Sequence, residues 1–409
     1  MPVSLSAAAY PNVSFAVISD LHVYDRSLGV CGTAFEKALY SDRKYLLDNI
    51  ELLDYAIGNI IASKAGFVLI PGDLTKDGEL INHRVLAEKL GRFKDAGIAV
   101  YVVPGNHDIN NPGAVSYNME NTAPVLSINA QEFSQIYGDF GFNGALERDD
   151  NSLSYVAEPV KGLWLLALDS CCYPKHRAGK KAIVSGKISK KTSRWIAKVL
   201  QTAAANKKAV IAILHHGVVE HWKGQAKLHP DFLVKNHAAF AEFLASHNVR
   251  LAFTGHYHAQ DIAYARFGGK FIYDIETGSL SSASCPVRYL EIRDNVLQIR
   301  TDTILDKIRP DTDFAAKARA FTKKAFALAA AGTLSKIKVP AKDRDYIAGA
   351  AADAFVAHCE GDENPALRPA FDRSRLGLWG RFICWHQQYV LDGLWTNPPP
   401  DDNNASLEL

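Results

Sequence analysis

Potential metal ligands fall in five short clusters, and each cluster closes an apolar run. The clusters are Asp20-Leu-His22, Gly72-Asp73, Gly105-Asn106-His107-Asp108, His215-His216 and Gly255-His256-Tyr257-His258. The runs before them span residues 13–18, 67–70, 100–103, 210–214 and 251–253. Short apolar runs separated by stretches of helical period read as buried strands of an α/β sheet. In open α/β sheets ligands bind beyond the carboxyl ends of the strands, so five loops are expected to converge on one rim. Carboxylate, imidazole and one amide arrive there, and no thiolate. That donor set suits one or two divalent metals that promote hydrolysis.

Between the first two clusters, residues 41–64 place Leu46, Ile50, Leu53, Ile57 and Ile60 at helical spacing. Residues 80–93 and 232–244 repeat the pattern before the third and fifth runs, and this alternation builds a sheet with parallel segments. After His258 come short runs at 263–267, 270–275, 288–292 and 296–301, broken by Gly268-Gly269 and Asp294-Asn295, both good tight-turn pairs. They are expected to be antiparallel and to form a second sheet. The stretch 110–154 holds Tyr117, Tyr137 and Phe142, with Tyr155 just beyond it. Its aromatics read as a small core of their own rather than a platform for a nucleobase. From 306 the strand signal fades, and 314–331, 343–358 and 376–391 read as three helices. Trp379, Phe382, Trp385 and Tyr389 read as core packing rather than a lipid or cofactor surface. Residues 398–404 read as an extended tail. These signals divide the chain into a catalytic domain at 10–305 and a helical domain at 306–409.

Of the 409 residues 48% are apolar and 22% charged, the balance of an ordinary globular protein. The net charge of +2 gives no basic footprint, which argues against a nucleic-acid polymer as substrate. No apolar run approaches the roughly 20 residues that span a bilayer. Six cysteines in a chain this long, two of them adjacent at Cys171-Cys172, are no disulfide framework and read as small buried residues. Ser4-Leu-Ser-Ala-Ala-Ala9 is like the tail of a cleaved leader, but the charged and apolar regions that should precede it are missing. A cytoplasmic location is preferred to an exported mature form.

The order and spacing of the clusters resemble the calcineurin-like metallophosphoesterase family, whose pattern is D-x-H, G-D, G-N-H-D/E, H and G-H-x-H. The resemblance runs from about 13 to 304. It extends to a bacterial, cyclic-nucleotide-phosphodiesterase-like subgroup through Gly72-Asp73-Leu-Thr-Lys-Asp-Gly-Glu79 and Thr277-Gly-Ser-Leu-Ser-Ser282. It implies a four-layer αββα sandwich followed by the C-terminal helices. It also implies two divalent metals, Mn, Fe or Zn, one held by Asp20, His22, Asp73 and His258 and the other by Asp73, Asn106, His216 and His256. His216 is preferred to His215 because Gly217 follows it and the family histidine is usually followed by small or turn-forming residues. His215 is then expected to support a ligand or touch substrate. His107 would protonate the leaving group, Asp108 would fix its tautomer, and a metal-bridging hydroxide would attack without a covalent enzyme intermediate. The implied reaction is hydrolysis of a small phosphodiester, a cyclic nucleotide or similar. The alternatives are a broad phosphomonoesterase, a protein phosphatase, or a metal-stabilised binding protein without catalysis. Oligomeric state is not legible.

Overall fold

The computed structural model describes residues 8–409, so most of the Ser4–Ala9 stretch lies outside the described residues. A six-stranded sheet has the order Asn404–Glu408 (β15), Val296–Thr303 (β14), Pro286–Arg293 (β13), Val13–Val17 (β1), Phe67–Ile70 (β2) and Ala99–Val102 (β3). A seven-stranded sheet has the order Asp261–Phe267 (β11), Lys270–Glu276 (β12), Leu251–Thr254 (β10), Ala209–Leu214 (β9), Leu163–Leu168 (β8), Tyr155–Val160 (β7) and Glu147–Arg148 (β6). In the first, β1, β2 and β3 are parallel; in the second, β8, β9, β10 and β12 are.

Alternation along β9 shows how the layers stack. Ile211 and Ile213 join a core shared with the first sheet, while Val210, Ala212 and Leu214 face a second core. Helices Asn49–Ser63 (α2) and Leu80–Asp95 (α3) pack Leu53, Ile57, Leu86 and Phe93 into the first core. Lys190–Ala205 (α5) and His237–Ser246 (α7) cover the second with Ile196, Val199 and Leu244. A strand buried on both faces reads as a continuous apolar run, which is why these runs carry so little polar alternation. The result is a four-layer αββα sandwich followed by a helical region.

Several elements differ from expectation. The 41–64 helix is two: Thr33–Asp42 (α1) ends at Arg43, whose φ of 59° is left-handed, and α2 begins six residues later. The strands after His258 do not make one new sheet. β11 and β12 form a hairpin that joins the second sheet through the parallel β10–β12 pair, whereas β13 and β14 cross over to lie antiparallel beside β1. The crossing loop is tied under the first cluster, where Leu280 N donates to Ser19 O at 2.9 Å. The helix expected from 232 begins at 237, because Pro230–Phe232 forms a separate single turn.

Between β3 and β7 lie the Val115–Asn118 (β4) and Asn121–Pro124 (β5) hairpin and a short helix, Ala130–Ile136 (α4). Tyr117 packs against Tyr24 and Phe35, and Tyr137, Phe142 and Tyr155 enter the main core, so these aromatics serve packing. Another short helix, Gln225–Leu228 (α6), follows β9.

Beyond β14 come four helices rather than three: Phe314–Lys336 (α8), Ala341–Glu360 (α9), Leu378–His386 (α10) and Gln388–Leu394 (α11). The stripe expected to be core is largely open, with Trp379 45%, Phe382 46% and Trp385 66% exposed, while Tyr389 packs over Lys227. The expected tail is anchored too: Asp402 accepts from Ile262 N and Asp362 N at 2.9 Å, and β15 closes the edge of the first sheet. No helix among the described residues is long and apolar enough to cross a membrane.

Candidate metal centre

Three of the clusters leave the carboxyl ends of their strands on a tightly turned backbone. Asp20, His22, Asp73, His256 and His258 have φ of 51°, 43°, 48°, 77° and 64°. Non-glycine residues rarely adopt this left-handed region, and concentrations of it mark functional sites. Two glycines let the loops interleave. A Cβ on Gly105 would stand 2.1 Å from Asp73 N and Oδ1, and one on Gly255 would stand 2.3 Å from Asp20 Oδ2.

Two groups of donors result. Asp20, His22, Asp73 and His258 converge so that one donor atom from each lies within 4.8 Å of the others, as do Asp73, His215 and His256. Asp73 belongs to both. Its Oδ2 is 3.7 Å from His22 Nε2, while its Oδ1 is 3.4 Å from His215 Nε2. His258 Nε2 lies 3.2 Å from both Asp20 Oδ1 and His22 Nε2. Asn106 Oδ1 stands 3.0 Å from His215 Nε2. A proton between two facing imidazole nitrogens satisfies one hydrogen bond, whereas a cation takes both lone pairs. The nitrogen and oxygen donors therefore fit two divalent metals.

His216 is placed otherwise than expected. Its Nδ1 is 2.7 Å from Ser170 Oγ and its Nε2 is 2.8 Å from Val184 O, so both ring nitrogens are engaged away from the centre. Its neighbour His215 turns the other way, with Nδ1 held by Pro71 O at 2.8 Å and Nε2 aimed at Asp73 and Asn106. In a strand successive side chains point to opposite faces, and β9 ends at Leu214, so the choice between adjacent histidines depends on where the strand stops.

Asp108 differs as well. Its carboxylate accepts from Gly105 N at 2.7 Å, Thr75 N at 2.9 Å, Thr75 Oγ1 at 3.0 Å and Leu74 N at 3.1 Å, which pins two ligand loops together. The partner of the His107 ring is Asp77, whose Oδ1 lies 2.8 Å from Nδ1. Asp77 lies within the run 72–79 that carries the subgroup resemblance, where residue type alone gives it no role. Burial and the Lys44 cation disfavour protonated His107, but Asp73 and Asp77 outweigh them and raise its pKa above the ordinary value. Burial raises Asp77, yet Lys76 and His107 bring it down to about 2, so it stays ionised.

The electrostatics of the ligands follow the same logic. Burial alone would protonate Asp73, but His215, His107 and His22 hold it well below the carboxylate range. Burial opposes the charge on His215 too, and Asp73 overcomes it, raising the pKa to about 9. Desolvation, then the neighbouring His215, lowers His216 to about 3. Two serines of 277–282 act as props: Ser279 Oγ donates to Asp20 O at 2.7 Å and Ser281 Oγ to the same oxygen at 3.4 Å. Lys44 is the other residue missed. It lies on the turn that splits the expected helix, is 4% exposed, and borders the same cavity as Asp73, Asn106 and His107.

The model of the calcineurin-like phosphoesterase family matches residues 13–260, more than half of the 409-residue chain. The chain belongs to the calcineurin-like phosphoesterase family, and so to the metal-dependent phosphoester hydrolases. Among solved structures it is similar to a dimetal phosphatase from Danio rerio, at 16% identity and a TM-score of 0.50, covering 71% of this chain and 96% of that one. A purple acid phosphatase from yellow lupin, Lupinus luteus, shares 13% identity with a TM-score of 0.44, over 72% of this chain and 53% of its own. No curated protein sequence matches.

Proposed function

We propose that this protein hydrolyses phosphodiesters at a two-metal centre. Asp20, His22, Asp73 and His258 would hold one cation; Asp73, Asn106, His215 and His256 would hold the other. The observation that carries this is the orientation of Asp73, whose two oxygens face the two donor groups. When bound, two such cations supply an activated water and neutralise the phosphoryl oxygens.

The chain's own groups do the rest. His107 is the most open member of the site, with 26% of its side chain exposed against 2% for Asp73. It is placed to give a proton to the departing oxygen, and Asp77 keeps that proton on the ring. Lys44 pairs with a phosphoryl oxygen. A monoester brings a dianion and a diester a monoanion. Among the described residues the lysine and arginine side chains lining the cavity are Arg43 and Lys44, and the Arg43 guanidinium is turned over Phe326 at 5.4 Å. A single remaining lysine matches the monoanionic diester.

The test compares turnover of bis(p-nitrophenyl) phosphate and p-nitrophenyl phosphate, with added Mn²⁺ and with chelator. Metal-dependent preference for the diester is expected. Preference for the monoester would transfer the reading to a phosphatase, and no metal-dependent turnover of either would remove the hydrolytic reading.

A further inference from the structure

The metal centre opens into a cavity of about 520 Å³ that is much larger than a phosphoryl group needs. Asp73, Asn106 and His107 lie at its polar end. Its far walls come from the C-terminal helices, through Phe326, Ala330, Leu334, Ile347, Ala351 and Phe355. Phe326 and Phe355 stack at 5.2 Å on these walls, with the Arg43 guanidinium over Phe326. From the proposed phosphodiesterase reading, and resting on it, we infer that the natural substrate is an amphiphile whose hydrocarbon chain lies in this cavity while its phosphoester sits at the metals.

The lining decides against a nucleoside. A base would be stripped of water on helices that offer it mostly alkyl and phenyl groups, and polar atoms buried without partners are disfavoured. A hydrocarbon chain gains from the same transfer. Helix α10 adds a second observation. It contributes Ile383 and Cys384 to the cavity, and it also leaves Leu378, Trp379, Phe382 and Trp385 open, with Leu378 87% exposed. Such an aromatic face is typical of surfaces that meet lipid or detergent aggregates. The helices that distinguish this chain from a bare αββα sandwich thus supply both the chain-binding walls and the aromatic face beside them.

Two series test this on the full-length, metal-loaded protein, with chains short enough to stay monomeric in solution. In the first, kcat/KM is measured for the methyl, butyl and octyl esters of p-nitrophenyl phosphate. A rise on the order of tenfold or more from methyl to octyl is expected from the free energy of burying methylenes. In the second, calorimetry follows binding of methyl-, butyl- and octylphosphonate, which does not depend on turnover. Ala351→Trp, which fills the cavity, should flatten both series. Turnover that is flat across the esters, together with chain-independent phosphonate binding, overturns the inference while leaving the hydrolase intact. Chain-dependent binding without turnover of any ester supports the cavity assignment and overturns the proposed reaction instead.

Discussion

In the proposed reaction His107 owes its availability as an acid to Asp77, a carboxylate 30 positions earlier in the chain. Removing that charge lowers the histidine pKa, so protonated His107 persists over a narrower range of pH. Asp77→Asn is therefore expected to shift the alkaline limb of the kcat/KM profile to lower pH, with a loss of about 10²-fold or less and metal content retained. An unmoved limb would show that Asp77 does not act through His107. His215 gives a second titration. Asp73 raises its pKa to about 9 in the metal-free protein, so a cation must displace a proton there. Apparent metal affinity should rise between pH 7 and 9, and the rise should vanish in His215→Ala; calorimetry at several pH values reads both. His216→Ala, by contrast, is expected to lose packing rather than metal. The sequence clusters contain every donor of the two groups, but they prefer His216 to His215 and give Asp77 and Lys44 no role. Adjacent histidines are distinguished only by the pleat at the end of β9, and Asp77 and Asp108 only by which way two loops turn. Neither is a matter of residue type.

At the scale of elements, the strand-then-cluster pattern was legible because each ligand loop follows a run too apolar for anything but a buried strand. The break at Arg43 was not, since 41–64 keeps helical spacing across it. That break matters, because it places Lys44 on the same cavity as Asp73, Asn106 and His107. The interleaving of loops was equally hidden: it is a property of backbone approach, visible only as glycine. Gly105→Ala puts a Cβ 2.1 Å from Asp73, so the carboxylate shared by the two donor groups must move. A displacement near 1 Å at such a site costs about 10²-fold in rate. Activity should fall by at least that factor while the far-UV circular dichroism is unchanged. Near-native activity would mean that the two loops are not held together as described.

At the scale of the whole molecule, residues 404–408 add an edge strand to the first sheet. β15 returns to the first sheet, and Leu407 is buried there against the strand pairs of β14. Leu407→Ala is expected to cost about 2–5 kcal/mol in chemical denaturation, the range for a buried leucine truncated in a core. A loss well under 1 kcal/mol would make the strand an appendage. This return was not legible, because a five-residue edge strand after Pro-Pro-Pro and acidic residues looks like a tail until its partner strand is known. The C-terminal helices were legible as helices, and their open aromatic face was not. Helix α10 carries large apolar residues on most of its positions, so its sequence does not say which of them meet solvent.

The most direct measurement is metal content per chain, after loading and desalting, for wild type and Asp73→Asn. Asp73 shared by two donor groups predicts about two divalent ions in the wild type. It predicts at most about one in the variant, with hydrolysis of bis(p-nitrophenyl) phosphate abolished and the fold retained. A variant that keeps both ions, or a wild type that binds none, would contradict the dinuclear centre.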